Sequence, residues 1–220
     1  GTLSIAFIPV FTEYLVEDKD KANELASTVL TYTFLGMALI SGIAFIFALP
    51  LTKMIAPGFL GTQLSDTVLL TRIVLCSQII FAISNLLTSI LASYKRFIFA
   101  GIAPILYNLA IILGLKILYP MFGIAGLGLG VLFGSLLHLS IQLPEATLSG
   151  FRFNFSPKNS LAGLKKIAQL YIPRIFAIDL SQISLLIASV LGSTLAVGSI
   201  SIFNLAFDLN ATPIGIFAFS

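Results

Sequence analysis

Long apolar runs, each close to the length of a membrane crossing and separated by short charged or turn-forming breaks, constrain this chain more than any other feature. A helix rises about 1.5 Å per residue and the hydrocarbon layer is about 30 Å thick, so one crossing takes roughly 20 mostly apolar residues. Seven runs fit: 1–16, 27–51, 68–92, 99–118, 122–143, 168–191 and 199–220. Between them lie EDKDKANE at 17–24, APGF at 56–59, SYKRF at 93–97, YPMFG at 119–123 and the GST-to-Gly198 stretch at 192–198. Helices satisfy every backbone amide inside hydrocarbon and an open sheet edge does not. The expected fold is therefore all-α, a polytopic transmembrane helix bundle.

Composition agrees. Only 10% of the residues are charged and 58% are hydrophobic, whereas a soluble domain carries about 25% charged residues to cover its wet surface. A soluble globular protein is excluded, and lipid must solvate much of this chain. A net charge of +3 leaves no basic face for nucleic acid. The apolar openings and endings GTLSIAFIPVF and GIFAFS read as a partial transmembrane domain over 1–220, and no signal-peptide pattern precedes it.

The longest polar connection, 144–167, reads as a linker. Within it Leu161, Leu164, Ile167 and Ala168 recur at helical spacing with Lys165 and Lys166 opposite. Two readings stand: an amphipathic helix on the membrane surface, or the first turns of the next span. Orientation follows the side on which Lys and Arg collect. One side receives eight (Lys19, Lys21, Lys95, Arg96, Arg152, Lys158, Lys165, Lys166) and the other three (Lys53, Arg72, Lys116). The acidic loop, the SYKRF turn and the linker are therefore expected in the cytoplasm.

Polar groups at bilayer depth cost about 2.5–3.5 kcal/mol each at a helix centre and persist only with a partner, a cavity or a task. Arg174, Asp179 and Asp208 qualify. Arg174 and Asp179 are five residues apart, which disfavours an intrahelical pair. In the functional reading Arg174 attracts an anionic substrate in a wet cavity while Asp179 or Asp208 binds a coupling cation. In the plain reading Arg174 snorkels to the surface and the aspartates pair with neighbouring helices. Of the uncharged polar residues, Gln182 and Asn204 each share a span with one of these aspartates. Ser84, Asn85 and Asn108 suit hydrogen bonding between helices.

Pro9, Pro104, Pro173 and Pro213 fall inside apolar runs, where each opens a kink. Gly126, Gly130 and Gly134 repeat at GxxxG spacing, which permits close helix packing. Enzyme templates are absent: Cys76 and His138 are single, which leaves no metal-ligand cluster, and no phosphate loop or nucleophile elbow occurs. Binding and translocation are better supported than bond-making chemistry. The only cofactor expected is a coupling cation, sodium or proton, or the membrane potential in its place.

Five stretches in order carry a resemblance: GTLSIAFIPVFTEY at the start, APGF at 56–59, RFIFAGIAPILYN at 96–108, PRIFAIDLSQISLLI at 173–187 and FNLAFDLNATPIGIF at 203–217. Together they resemble the MurJ/MviN lipid II flippases of the multidrug/oligosaccharidyl-lipid/polysaccharide exporter superfamily. The resemblance spans essentially the whole chain and implies its second to eighth transmembrane helices. It implies a bacterial cytoplasmic-membrane protein that moves undecaprenyl-diphosphate-linked peptidoglycan precursor to the outer leaflet by alternating access with a carboxy-terminal lobe of the same chain. It also implies that Ser4, Gln182 and Asp208 lie on cavity-lining spans. Two departures stand out: Asp208 where some members carry Arg, and Cys76 with Ser77 where a Pro-containing stretch often follows TRI. Ser4, Arg174, Gln182, Asn204 and Asp208 are thus the substrate-binding candidates, and Asp179 and Asp208 the coupling-ion candidates. Rival readings are an exporter of another cargo and, less favoured, a membrane enzyme acting on polyprenyl diphosphates.

Overall fold

Proline and aspartate set the first helix boundaries. In the computed structural model, which describes residues 2–153, 161–176 and 180–218, α1 (Thr2–Glu17) turns directly into α2 (Lys19–Ile46). Asp18 makes that turn by accepting the N–H of Asp20 (2.8 Å) and of Lys21 (3.3 Å) on Oδ1, a side-chain cap for amides that have no partner within the helix. At the other end of α2, Pro50 has no N–H to give the Ile46 carbonyl and its ring would crowd that oxygen. The helix accordingly stops at Ile46 and α3 (Ala48–Ile55) begins beyond Phe47. The run expected at 27–51 is thus two helices, the first starting well before it.

The remaining elements are α4 (Gly61–Ser93), α5 (Ile98–Leu113), a wide π turn at Gly114–Leu118, α6 (Tyr119–Phe122), α7 (Ile124–Ser140), α8 (Leu143–Leu148), α9 (Leu161–Phe176), α10 (Leu180–Ser193) and α11 (Ser199–Ala218). No strand occurs among the described residues. Residues 161–167 are continuous with 168–176 in α9, so that part of the expected linker is the start of the following helix. Among the described residues four stretches are long and apolar enough to cross a membrane: Lys19–Ile46, Gly61–Ser93, Ile98–Phe122 and Ile124–Leu148. Their outer faces carry exposed Leu, Ile and Phe such as Leu39, Ile40, Ile105 and Phe133, the surface that hydrocarbon solvates at no cost.

The chain forms two compact units, 1–46 with 69–177 and 47–68 with 178–220. In the first, Phe7, Val10 and Phe11 of α1 meet Leu25 and Val29 of α2, Leu87, Ile90 and Leu91 of α4, and Ile167 of α9, all nearly solvent-free. Phe7 and Phe11 stack at 5.1 Å, and Tyr94 closes the cluster edge-on to Phe11 at 6.0 Å. Polar contacts gather the charged loops at one end of this unit. Asn23 donates to the Gly150 carbonyl (3.3 Å) and accepts the Arg152 N–H (3.2 Å), Arg96 pairs with Glu145 (3.5 Å), and Lys166 pairs with Glu13 (2.5 Å).

Glycine lets α5 and α7 touch backbone to backbone. A Cβ on Gly114 would lie 2.6 Å from the Gly130 Cα, one on Gly126 2.3 Å from the Leu118 carbonyl oxygen, and one on Gly134 2.8 Å from the Tyr107 ring. The GxxxG repeat therefore lies in this contact, facing the π turn that carries Gly114. In the second unit α10 packs against α3 and α11. Gly58 of APGF donates its N–H to Ser193 Oγ (3.1 Å) so closely that a Cβ there would meet the Ser193 carbonyl oxygen at 1.9 Å.

Candidate functional site

Three groups of polar side chains stand on apolar helices, and their surroundings differ. The first lies between α4 and α7. Ser84 Oγ sits 2.6 Å from His138 Nδ1, Gln142 Nε2 donates to Ser84 Oγ (2.9 Å) and to the His138 carbonyl (2.9 Å), and Thr88 donates to Gln142 Oε1 (2.8 Å). Phe81 packs on the His138 ring at 5.1 Å and on Tyr107 at 4.7 Å. Ser84, His138 and Gln142 are buried. With Ser84, Thr88, Gln142 and the His138 Nδ1 paired to one another in a dry core, this network joins two helices rather than meeting a ligand. Gln142 and Thr88 gave no warning in the sequence, because only the fold brings 84, 88, 138 and 142 to one level.

A second group surrounds Ser4. Its Oγ shares a 2.8 Å hydrogen bond with Ser89 Oγ, which also lies 2.9 Å from the Asn85 carbonyl. Ser4, Thr33, Asn85 and Tyr171 line a cavity of about 210 Å³ that Leu3, Met37 and Leu86 complete. A more apolar cavity of about 280 Å³ adjoins it, sharing Leu3, Thr33, Met37 and Tyr171. Ser4 is therefore a cavity-lining residue of the first unit. Thr33 and Tyr171 join it unannounced, since a lone Thr or Tyr in an apolar run carries no signal until the helices are placed.

The third group is on the second unit. Asn204 and Asp208 are one helical turn apart on α11, and both are exposed, as is Gln182 near the start of α10. Thr212, one further turn on, donates to the Asp208 carbonyl (2.8 Å). No described residue forms an ion pair or hydrogen bond with the Asp208 carboxylate. Nine residues from Ser199 place it about 14 Å along the 20-residue helix. Ile202, Phe203, Leu205, Phe207 and Leu209 surround it in sequence, so the carboxylate is a single charge on an apolar helix. Of the other predicted residues, Arg174 belongs to α9 by its backbone, while its side chain and the whole of Asp179 lie outside the described residues.

Comparison with known proteins decides the lineage. The model of the family described as lipid II flippase MurJ matches residues 1–220. This chain belongs to that family. A probable lipid II flippase MurJ of Borreliella burgdorferi is 30% identical over 224 residues, covering 100% of this chain and 43% of the relative. One from Buchnera aphidicola of Acyrthosiphon pisum is 31% identical, covering 100% and 44%. The lipid II flippase MurJ of Burkholderia cenocepacia is 26% identical, covering 97% and 43%. The chain thus spans under half the length of these relatives. Family membership and the four apolar helices together make it part of a multi-pass membrane protein.

Proposed function

We propose that this chain forms part of a lipid II flippase, moving the undecaprenyl-diphosphate-linked peptidoglycan precursor from the inner to the outer leaflet of the bacterial cytoplasmic membrane. Such a protein works by alternating access, with binding and release in place of covalent catalysis. The observation that carries the reading is the exposed Asp208, unpaired among the described residues, with Asn204 one turn away on an apolar helix. A carboxylate facing hydrocarbon would be strongly disfavoured, so this face of α11 borders a water-filled passage completed by the rest of the full-length protein. There Asn204 and Gln182 offer amide donors and acceptors to a sugar-peptide headgroup. Asp208 holds a coupling cation, proton or sodium, whose binding neutralises it between one access state and the other. Ser4, with Thr33 and Asn85, offers hydrogen bonds from the cavity of the first unit, and Arg174 supplies a cation for the diphosphate. The lysine- and arginine-rich end of the first unit lies in the cytoplasm.

The test is made in the full-length protein. Asp208→Asn removes the charge at nearly constant size, so it leaves membrane insertion intact and lowers the lipid II exposed on the outer leaflet of intact spheroplasts at least tenfold. Wild-type exposure across pH and sodium concentration in that variant removes Asp208 from the mechanism. Normal lipid II exposure in cells depleted of the protein would overturn the cargo assignment.

A further inference from the structure

At the charged end of the first unit lies a slot that the transport reading leaves unused. Leu30 and Phe34 of α2, Ile83 and Leu87 of α4, Leu143 of α8, and Phe151 and Phe153 beyond α8 enclose about 270 Å³, and no polar atom lines it. Leu30 with Phe34, and Ile83 with Leu87, are successive turns of their helices, so the slot runs along the helix axes. That is the direction of a lipid chain in a bilayer. Phe34, Leu143 and Phe153 are between 45% and 49% exposed, which leaves the slot open to the outside of the unit.

Arg152 stands between the two phenylalanines that close it. Its backbone N–H is held by Asn23 Oδ1, two turns of α2 before Leu30, which places it about 10 Å toward the charged end of the slot. The Arg152 side chain is exposed, and no described residue pairs with its guanidinium. Arg96, by contrast, is already engaged by Glu145. An apolar channel along the helix axes, with a cation at its charged end that no described residue pairs, has the two halves needed to recognise a single amphiphile.

We propose that this slot binds one acyl chain of an anionic phospholipid of the leaflet on the lysine- and arginine-rich side, with Arg152 holding its phosphate. Hydrocarbon fills the apolar walls, and charge selects the headgroup. The proposal does not depend on which cargo the protein moves.

The test uses the full-length protein, delipidated in detergent and titrated with phosphatidylglycerol or with phosphatidylcholine of the same chains, bound lipid being counted by native mass spectrometry. Phosphatidylglycerol is expected to bind with 1:1 stoichiometry and at least fivefold more tightly than phosphatidylcholine. Arg152→Gln should weaken phosphatidylglycerol about fivefold, the effect of one cation near an anionic headgroup, and leave phosphatidylcholine unchanged. Leu143→Trp, a substitution at an exposed position that fills the slot, should weaken both lipids at least tenfold. Equal affinity for the two lipids in the wild type, unchanged phosphatidylglycerol binding in Arg152→Gln, or a second protein copy in place of lipid would each overturn the proposal. Arg152→Gln decides the matter by itself, because its exposed side chain supports no packing.

Discussion

Asp208 and His138 are both ionisable side chains on apolar helices, and the difference in their surroundings separates their roles. His138 is 5% exposed and its Nδ1 meets Ser84 at 2.6 Å and Gln142 at 3.3 Å, so this ring nitrogen is engaged inside the unit. Gln142→Leu would take from Thr88 its acceptor on Gln142 and from Ser84 one of two partners, leaving the Ser84 carbonyl (3.1 Å) and His138 Nδ1 (2.6 Å) to satisfy them, at a cost of about 1 kcal/mol. Thermal unfolding of the purified full-length protein should show a lower Tm, while transport by the folded fraction is kept. Asp208→Asn should do the reverse, with stability within about 0.5 kcal/mol of wild type and transport lost. Lys166 supports a further prediction at this scale. Its hydrogen bond to Glu13, ahead of a smaller opposing desolvation effect, holds its pKa above the ordinary lysine value. The folded-state pKa is the higher one, so the ion pair stabilises the protein throughout neutral pH and is lost as pH rises past about 10.4. A melting profile taken from pH 8 upward should decline less steeply for Glu13→Gln than for wild type. The two side chains are about half exposed, so the difference will be small.

Among the elements, the contact of α5 with α7 depends on the absence of side chains. Gly126→Ala puts a Cβ 2.3 Å from a carbonyl oxygen and should destabilise the protein by about 2 kcal/mol or more. Gly101→Ala in α5 meets nothing within 4 Å and should be neutral or slightly stabilising. Differential scanning fluorimetry of the pair separates packing from propensity. The GxxxG spacing makes this contact legible in the sequence, because three small residues on one stripe have few other uses. Its partner was not legible: Gly114 reaches Gly130 through a π turn, a backbone register that no local residue pattern announces. The break at Phe47 was available in principle from Pro50, yet the apolar run continues through it to Leu51 and hydropathy alone reads one span. The start of α9 at Leu161 was one of two readings left open, since an amphipathic first turn and a surface helix share one periodicity.

Across the whole molecule, apolar length and scarce charge were enough to specify an all-helical membrane bundle, because hydrocarbon leaves few other ways to satisfy a backbone. The candidate site was legible only in part. Charges at depth singled out Asp208, whereas Ser4 was singled out by the family resemblance alone; the structure places it on a cavity with Thr33 and Asn85, beside Ser89. Thr33 and Tyr171 join by tertiary placement alone. Transport as proposed requires that the Asn204 and Asp208 face of α11 border water inside the membrane layer. Single cysteines introduced by Asp208→Cys and Ala206→Cys, in the full-length protein with Cys76 replaced by Ser, test it most directly when challenged with a membrane-impermeant thiol reagent. Labelling should be rapid at 208 and slight at 206, which lies on the opposite face of the same helix. Equal, slow labelling at both positions would place Asp208 against lipid or protein and contradict it.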